Sequence, residues 1–292
     1  MNWAQSNFRL QFPAKTLFAG PFVGEFGWEL LNWVSKIRYL AQFYERTVVI
    51  SRPWTEFLYQ DFAEFRPWDP GSSDTDDFQC FNSDGYFGSQ HFDADERDSV
   101  INFVRYDHKV SQILAGLPDA HFRYQGNKGT QQVDYVLHMR TETSNPSGNT
   151  TKASRNYPLP YWREIVDHLG PENCVCIGSK SGAVCIDGVK DLRGIPLYDL
   201  AGLMSSARMV IGPSSAPAHF ASLVGAPQVV WTQRFAGWTN LGNEAKFLFS
   251  ANPWNSAVRV VAGDHWAPDP DFILEACSSL ESQNKISCVM EF

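Results

Sequence analysis

Residues 191–231, DLRGIPLYDLAGLMSSARMVIGPSSAPAHFASLVGAPQVVW, constrain the fold more than any other stretch of the chain. Leu197, Leu200, Leu203 and Met204 recur at helical spacing, and the apolar run of Met209, Val210 and Ile211 stops at Gly212. A loop of small residues follows, then a helix that can begin near Pro217, then an apolar strand ending at Trp231. Helix, strand, loop, helix and strand in this order make α/β architecture, in which open parallel sheets hold ligands at strand carboxyl ends. Ser214, Ser215 and Ala216 therefore stand at a helix N-terminus whose first amides can point at an anion.

A chain of 292 residues accommodates two domains of ordinary size. The pattern of elements restarts at Gln132, which sets domains at 1–130 and 131–266. Residues 267–292 form a tail with a helix from Asp271 to Leu280 that can return to the first domain. A net charge of −8 gives no general nucleic-acid-binding signal. Ten tryptophans supply core and leave room for stacking platforms. Met1 to Gln11 is polar, and no apolar run approaches the roughly 20 residues that cross a bilayer. The six cysteines lack paired metal-ligand spacing and read as free core thiols, with Cys174 and Cys176 on one strand face, so a reducing cytoplasm is expected.

The amino-terminal half opens with a strand from Thr16 to Ala19, a turn containing Gly20, Gly24 and Gly27, and a helix with Leu30, Leu31, Val34, Ile37 and Leu40 on one side. Val48 to Ile50 is the next strand. This is a βαβ unit without the dinucleotide fingerprint. Glu25 lies among the turn glycines and Glu29 at the helix start. Each is either a general base in a cleft or an ordinary polar residue, Glu25 solvated in the turn and Glu29 favoured by the helix dipole. Residues 69–98 are strongly acidic, with Arg97 as the one basic residue, and read as an irregular surface excursion.

The second half begins with the strand VDYVLHMR, followed by the helix YWREIVDHLG and the strand CVCIGSK. His138 and Arg140 flank Met139, so strand alternation sets them on one side. Arg140 has the planar, permanently charged donor set that grips a diphosphate, or else forms a salt bridge. Ser179 and Lys180 follow the CVCIG strand, where Lys180 either reaches phosphate or ribose or lies in a solvated turn. Asp191 either binds ribose or caps local backbone.

These motifs resemble those of GT-B sugar-nucleotide-dependent glycosyltransferases. GPSSAPAHFASLVGAP is similar to the matching region of ADP-heptose:lipopolysaccharide heptosyltransferases, HMR at 138–140 resembles the His-x-Arg motif of the fucosyltransferase superfamily, and GEFGWELLNW at 24–33 resembles the acceptor-side motif of both. Trp28 follows Gly27 where heptosyltransferases carry Asp. The resemblance implies two Rossmann-like domains facing across a cleft, with the nucleotide held by the carboxyl-terminal one. It further implies that Gly212, Ser214, Ser215 and Ala216 surround a diphosphate, with His138, Arg140, Ser179, Lys180 and His219 around the donor. His219 is otherwise a structural histidine under the loop.

The function expected on this basis is metal-independent transfer from a nucleoside diphosphate sugar, its base unspecified, to a small-molecule or glycan acceptor. Glu25, then Glu29, would accept the acceptor proton, and Arg140 would stabilise the leaving phosphate. No separate cofactor is implied. A nucleotide-sugar epimerase or hydrolase and a non-catalytic nucleotide- or carbohydrate-binding module share the same motifs.

Overall fold

The structure, a computed structural model, describes residues 8–9, 15–22, 26–67, 99–103, 116–126, 133–141, 155–233, 247–248 and 251–289. The chain divides into two compact units, Met1–Phe122 and Arg123–Phe292.

The first unit contains β1 (Phe8–Arg9), β2 (Thr16–Phe22), β3 (Arg46–Ser51), β4 (Glu64–Pro67) and β5 (Ser99–Phe103), ordered β1-β5-β2-β3-β4. All neighbours are parallel except β1 and β5. β3 and β4 extend on one side of β2 and β5 lies on the other, so the winding reverses beside β2. The connection from β2 to β3 is helical over 26–41: α1 (Phe26–Trp28), a π-helical turn over Glu29–Trp33, and α2 (Val34–Ala41). Leu30, Trp33, Val34, Ile37 and Leu40 are buried, which accounts for the apolar period of this stretch.

The second unit is built on β6 (Tyr135–Leu137), β7 (Cys174–Cys176), β8 (Lys190–Asp191), β9 (Met209–Pro213), β10 (Gln228–Gln233) and β11 (Val258–Gly263). Their order is β11-β10-β9-β6-β7-β8, with every neighbouring pair parallel. The chain therefore winds outward from β6 to β8, crosses back over α4 (Leu197–Ser206), and winds outward again from β9 to β11. This is the doubly wound Rossmann-like order, and its switch point lies between β6 and β9. The other helices are α3 (Leu159–Leu169), α5 (Ala216–Val224) and α6 (Pro270–Val289).

The short, fully buried strands β6, β7 and β9 explain why the second half reads as brief apolar runs rather than alternating ones. Leu137, Met139, Cys176, Ile211 and Trp231 share one core cluster with Trp162 of α3. Trp231 packs 5.3 Å from the Trp162 ring and 4.7 Å from Tyr157. On α4 the buried face is Leu197, Ala201 and Met204, while Leu200 and Leu203 are half-buried. The late helix is longer than Asp271 to Leu280, and it packs on α3, β10 and β11 of its own unit. Cys174, Cys176, Cys185 and Cys277 are free thiols. Among the described residues no helix is long and apolar enough to cross a membrane.

Candidate functional site

The second sheet's switch point brings together residues that lie far apart in the chain. β6 ends at Leu137, because the next residues leave the parallel ladder: Arg140 pairs with Ala183 in an antiparallel bridge, Thr141 N–H donates to Gly182 O, and Val184 N–H donates to Met139 O. Met139 points into the core, whereas His138 and Arg140 are the buried polar residues on either side of it. The Arg140 charge acts on the His138 ring.

Opposite them, β9 runs through Gly212 to Pro213, and Ser215 is the N-cap of α5. A serine at this position ordinarily turns its hydroxyl onto the helix's own first-turn amides. Ser215 makes no such cap. Its Oγ donates to Pro213 O at 3.0 Å and lies 3.1 Å from His138 Nδ1. With the hydroxyl proton on Pro213 O, Oγ accepts from Nδ1–H, which assigns the neutral imidazole its tautomer. Burial, with a smaller contribution from the Arg140 charge, pushes the His138 pKa down to about 3. His138 is thus a neutral strut from the end of β6 to the N-cap of α5.

Two glycines make room for that strut. A Cβ on Gly212 would stand 3.1 Å from His138 Cβ, and one on Gly178, whose φ is +119°, would stand 3.1 Å from His138 Cδ2. Gly212 therefore faces His138, where any side chain would crowd the strut.

The first intrahelical bond of α5 is His219 N–H to Ser215 O. The N–H groups of Ala216 and Ala218 precede it and are donors that the helix itself does not use, while Pro217 has none. Ser214 differs from expectation: its N–H donates to Trp231 O at 2.9 Å, so the amide belongs to the sheet rather than to an anion. His219 is buried and stacks on Phe247 with centroids 5.0 Å apart and planes at 16°.

Ser179 and Lys180 are exposed in the loop after β7, the strand beside β6. Ser179 Oγ accepts Gly182 N–H at 2.9 Å and shapes that loop. Asp191 meets Arg193 through Nη2 at 2.8 Å, Nε at 2.9 Å and the backbone N–H at 3.0 Å. Those hydrogen bonds, led by the Arg193 side chain, hold its carboxyl at about 2. Asp191 caps backbone locally, as one of the two sequence readings has it.

In the first unit Glu29 is not a helix-start acid. It opens the π-helical turn inside a continuous helical stretch and is fully buried. Ser51 Oγ and Tyr59 Oη donate to its Oε1 at 2.5 and 2.6 Å, and Arg52 donates to Oε2 at 3.2 Å. Burial raises its pKa, and the Arg52 charge followed by the Ser51, Tyr59 and Thr55 hydroxyls oppose that rise. Nothing local in the sequence marks Ser51, Arg52 and Tyr59 as partners of Glu29. Gly178 was also missed, although a glycine ending the apolar CVCI run was its visible signal. Glu25 and the acidic stretch 69–98 lie outside the described residues. Among the described residues no three His, Cys, Asp or Glu side chains are grouped to hold a metal ion.

The sequence matches no family model and no curated protein. Solved structures share the fold. A glycosyl transferase family 9 protein from Veillonella parvula DSM 2008 is similar with a TM-score of 0.58 and 10% identity, over 94% of this chain and 99% of that one. The ADP-heptose lps heptosyltransferase II of E. coli is similar with a TM-score of 0.57 and 13% identity, over 93% of this chain and 100% of that one. The fold is GT-B-like, with two Rossmann-like units.

Two outcomes follow from the His138 strut. Gly212→Val overpacks the imidazole and should destabilise the protein by about 1–3 kcal/mol, read from urea unfolding. The second concerns acid. His138 has a folded pKa below its ordinary 6.5, so its contribution is complete above 6.5 and is lost as pH falls toward about 3, where the unfolded imidazole binds a proton that the folded one refuses. Glu29, with its raised pKa, contributes in the opposite sense, losing stability as pH rises through its range. Subtracting the stability–pH profile of His138→Asn from that of the parent protein cancels Glu29, and the difference should fall with pH across this window; a flat difference would rule out the buried neutral imidazole.

Proposed function

We propose that this protein transfers a glycosyl group from a nucleoside diphosphate sugar to an acceptor hydroxyl without a metal ion. The observation that carries this reading is the uncapped N-terminus of α5 at the switch point, with His138 drawing the Ser215 hydroxyl aside and Arg140 at the end of the neighbouring strand. Helix N-termini and guanidinium groups are the two ordinary protein receptors for phosphate. Their joint presence where doubly wound sheets bind ligands supports a diphosphate in this place.

In the proposed reaction the acceptor oxygen attacks the anomeric carbon as the bond from that carbon to the phosphate oxygen breaks. The nucleoside diphosphate leaves with the bonding electrons. Arg140 and the first-turn amides of α5 stabilise the charge that gathers on it, which is the role a divalent cation fills in other transferases. In an inverting transfer Glu25 accepts the acceptor's proton. We assign the base to Glu25 rather than Glu29 because both Glu29 oxygens are engaged by donors inside the first unit. Lys180, exposed beside Asp191, is assigned to the outer edge of the donor site. Free thiols in the second core support a reducing, cytoplasmic setting.

A thermal-shift panel of ADP, GDP, UDP and CMP sugars tests donor binding, since a ligand that binds the folded state raises its apparent stability. One base class should respond. Incubation of that donor with saccharide and other hydroxyl acceptors should then yield a product of increased mass. Isomerised or hydrolysed donor without transfer would favour the epimerase or hydrolase, and binding without turnover a binding module. Arg140→Ala should weaken nucleoside diphosphate binding by about 10- to 100-fold while leaving nucleoside binding nearly unchanged. Equal losses in calorimetry would take Arg140 away from the phosphates. Glu25→Gln should retain donor affinity and lower turnover by about 100-fold or more, because the amide cannot accept a proton. Undiminished turnover at saturating substrates would remove Glu25 as the base.

A further inference from the structure

One exposed aromatic of the first unit, Trp54, is held by a buried polar support. Trp54 is 47% exposed and sits in the 3-10 turn Pro53–Leu58, which begins two residues after the carboxyl end of β3. Solitary exposed aromatics are common and carry no message by themselves. Trp54 differs because its position is set from below. Thr55 donates to Arg52 O through both its N–H and its Oγ1, each at 2.9 Å, which closes the turn beneath the indole. The Arg52 guanidinium lies 5.9 Å from the Trp54 ring centre and is anchored by Glu29. Glu29 in turn is held by Ser51 and Tyr59. Phe26 leans on the indole with ring centroids 4.7 Å apart and planes at 65°.

Burying a carboxylate and a guanidinium together is costly and gives little net stability. Here the pair fixes both segments that carry the aromatic rings: Glu29 lies one helical turn beyond Phe26, and Arg52 two residues before Trp54. The two segments leave adjacent parallel strands, β2 and β3, at their carboxyl ends, next to the strand reversal of the first sheet. That is where such sheets take ligands. Phe26 also follows Glu25 directly in the chain.

We propose that Trp54 and Phe26 form a stacking subsite for the pyranose ring of a saccharide acceptor. The place of this subsite in a reaction rests on the glycosyl-transfer reading above, whereas its binding chemistry does not. An indole face offers a flat apolar surface of negative quadrupole, which suits the weakly positive C–H face of a neutral sugar ring. A charged ligand of either sign gains little from the guanidinium beside the ring, because Arg52 is already ion-paired with Glu29. A sugar keeps its hydroxyl rim in water while its apolar face stacks, which fits a ring half exposed rather than enclosed.

The full chain labelled with fluorotryptophan provides the test by fluorine NMR, with the Trp54 signal assigned as the one missing from Trp54→Phe. The probes are methyl glycosides of glucose, galactose, mannose and N-acetylglucosamine, their common disaccharides, and AMP as a nucleotide control. At least one saccharide should move the Trp54 signal saturably and AMP should not. Trp54→Ala should weaken binding of that saccharide roughly tenfold or more, while the thermal shift produced by nucleoside diphosphates stays the same. A Trp54 signal unmoved by the whole saccharide set at the highest soluble concentrations, or moved by AMP instead, overturns the proposal. Saccharide binding at Trp54 in a protein that ignores all nucleoside diphosphates would keep this subsite and remove the transfer reading; nucleotide binding with no saccharide at Trp54 would do the reverse.

Discussion

The hydrogen bond between His138 and Ser215 joins the two strands between which the second sheet reverses its winding, and much of the candidate site depends on it. β6 delivers the imidazole and β9 delivers the serine. Parallel pairing of those strands sets the distance between them, and glycines on the two strands that flank β6, Gly178 after β7 and Gly212 in β9, let the ring fit. The bond needs a proton on Nδ1, which this neutral tautomer supplies. Burial and the Arg140 charge both favour neutrality, so the positive charge of Arg140 and the state of His138 are linked parts of one arrangement. A serine that would otherwise cap α5 is drawn sideways, and the helix dipole is left facing outward.

Each unit has a buried polar node near the carboxyl ends of its parallel strands, and the two nodes are chemically opposite. In the second unit a histidine is kept neutral by burial, and a neighbouring cation adds to the effect. In the first, a carboxyl group is held by the Ser51 and Tyr59 hydroxyls and a guanidinium, which oppose its desolvation without overcoming it. Both nodes do the same mechanical work, since each ties a segment following one strand to a segment following the next. Strand carboxyl ends in such sheets must carry irregular backbone, and irregular backbone positions side chains poorly unless something cross-links it.

Much of the architecture is legible in the sequence because it rests on local periodicity. The apolar run at Met209 to Ile211, the small-residue loop and the helix near Pro217 correspond to β9, the switch-point loop and α5. His138 and Arg140 were recognisable as a pair by their spacing alone. What the sequence could not convey was what each polar residue touches. Glu29 resembles a first-turn acid because its neighbours in the chain are apolar, yet its partners lie at Ser51, Arg52 and Tyr59, on a different strand and turn. The Ser214 amide looked available because its acceptor, Trp231 O, belongs to the next strand. Leu200 and Leu203 share the apolar period of α4, but they face a half-buried flank while Ala201 fills the close contact, a matter of helix rotation that periodicity leaves undetermined.

The link from Ser214 to Trp231 also anchors the loop to the second core. Trp231 is fully buried and packed among Trp162 and Tyr157, so its carbonyl is anchored in the second core. Tyr157 is itself tied through its hydroxyl to Pro268 O at 2.8 Å, at the approach to α6. The N-terminus of α5 is thereby fixed from two directions, through Ser214 to the aromatic core and through Ser215 to His138. Hydrogen-bond donors held in this way need no reorganisation when charge develops in front of them, and it is that saving, more than the strength of any one bond, by which a preorganised site stabilises a leaving phosphate. The aromatic cluster at Trp231 therefore supports the shape of the loop as well as the packing of the sheet.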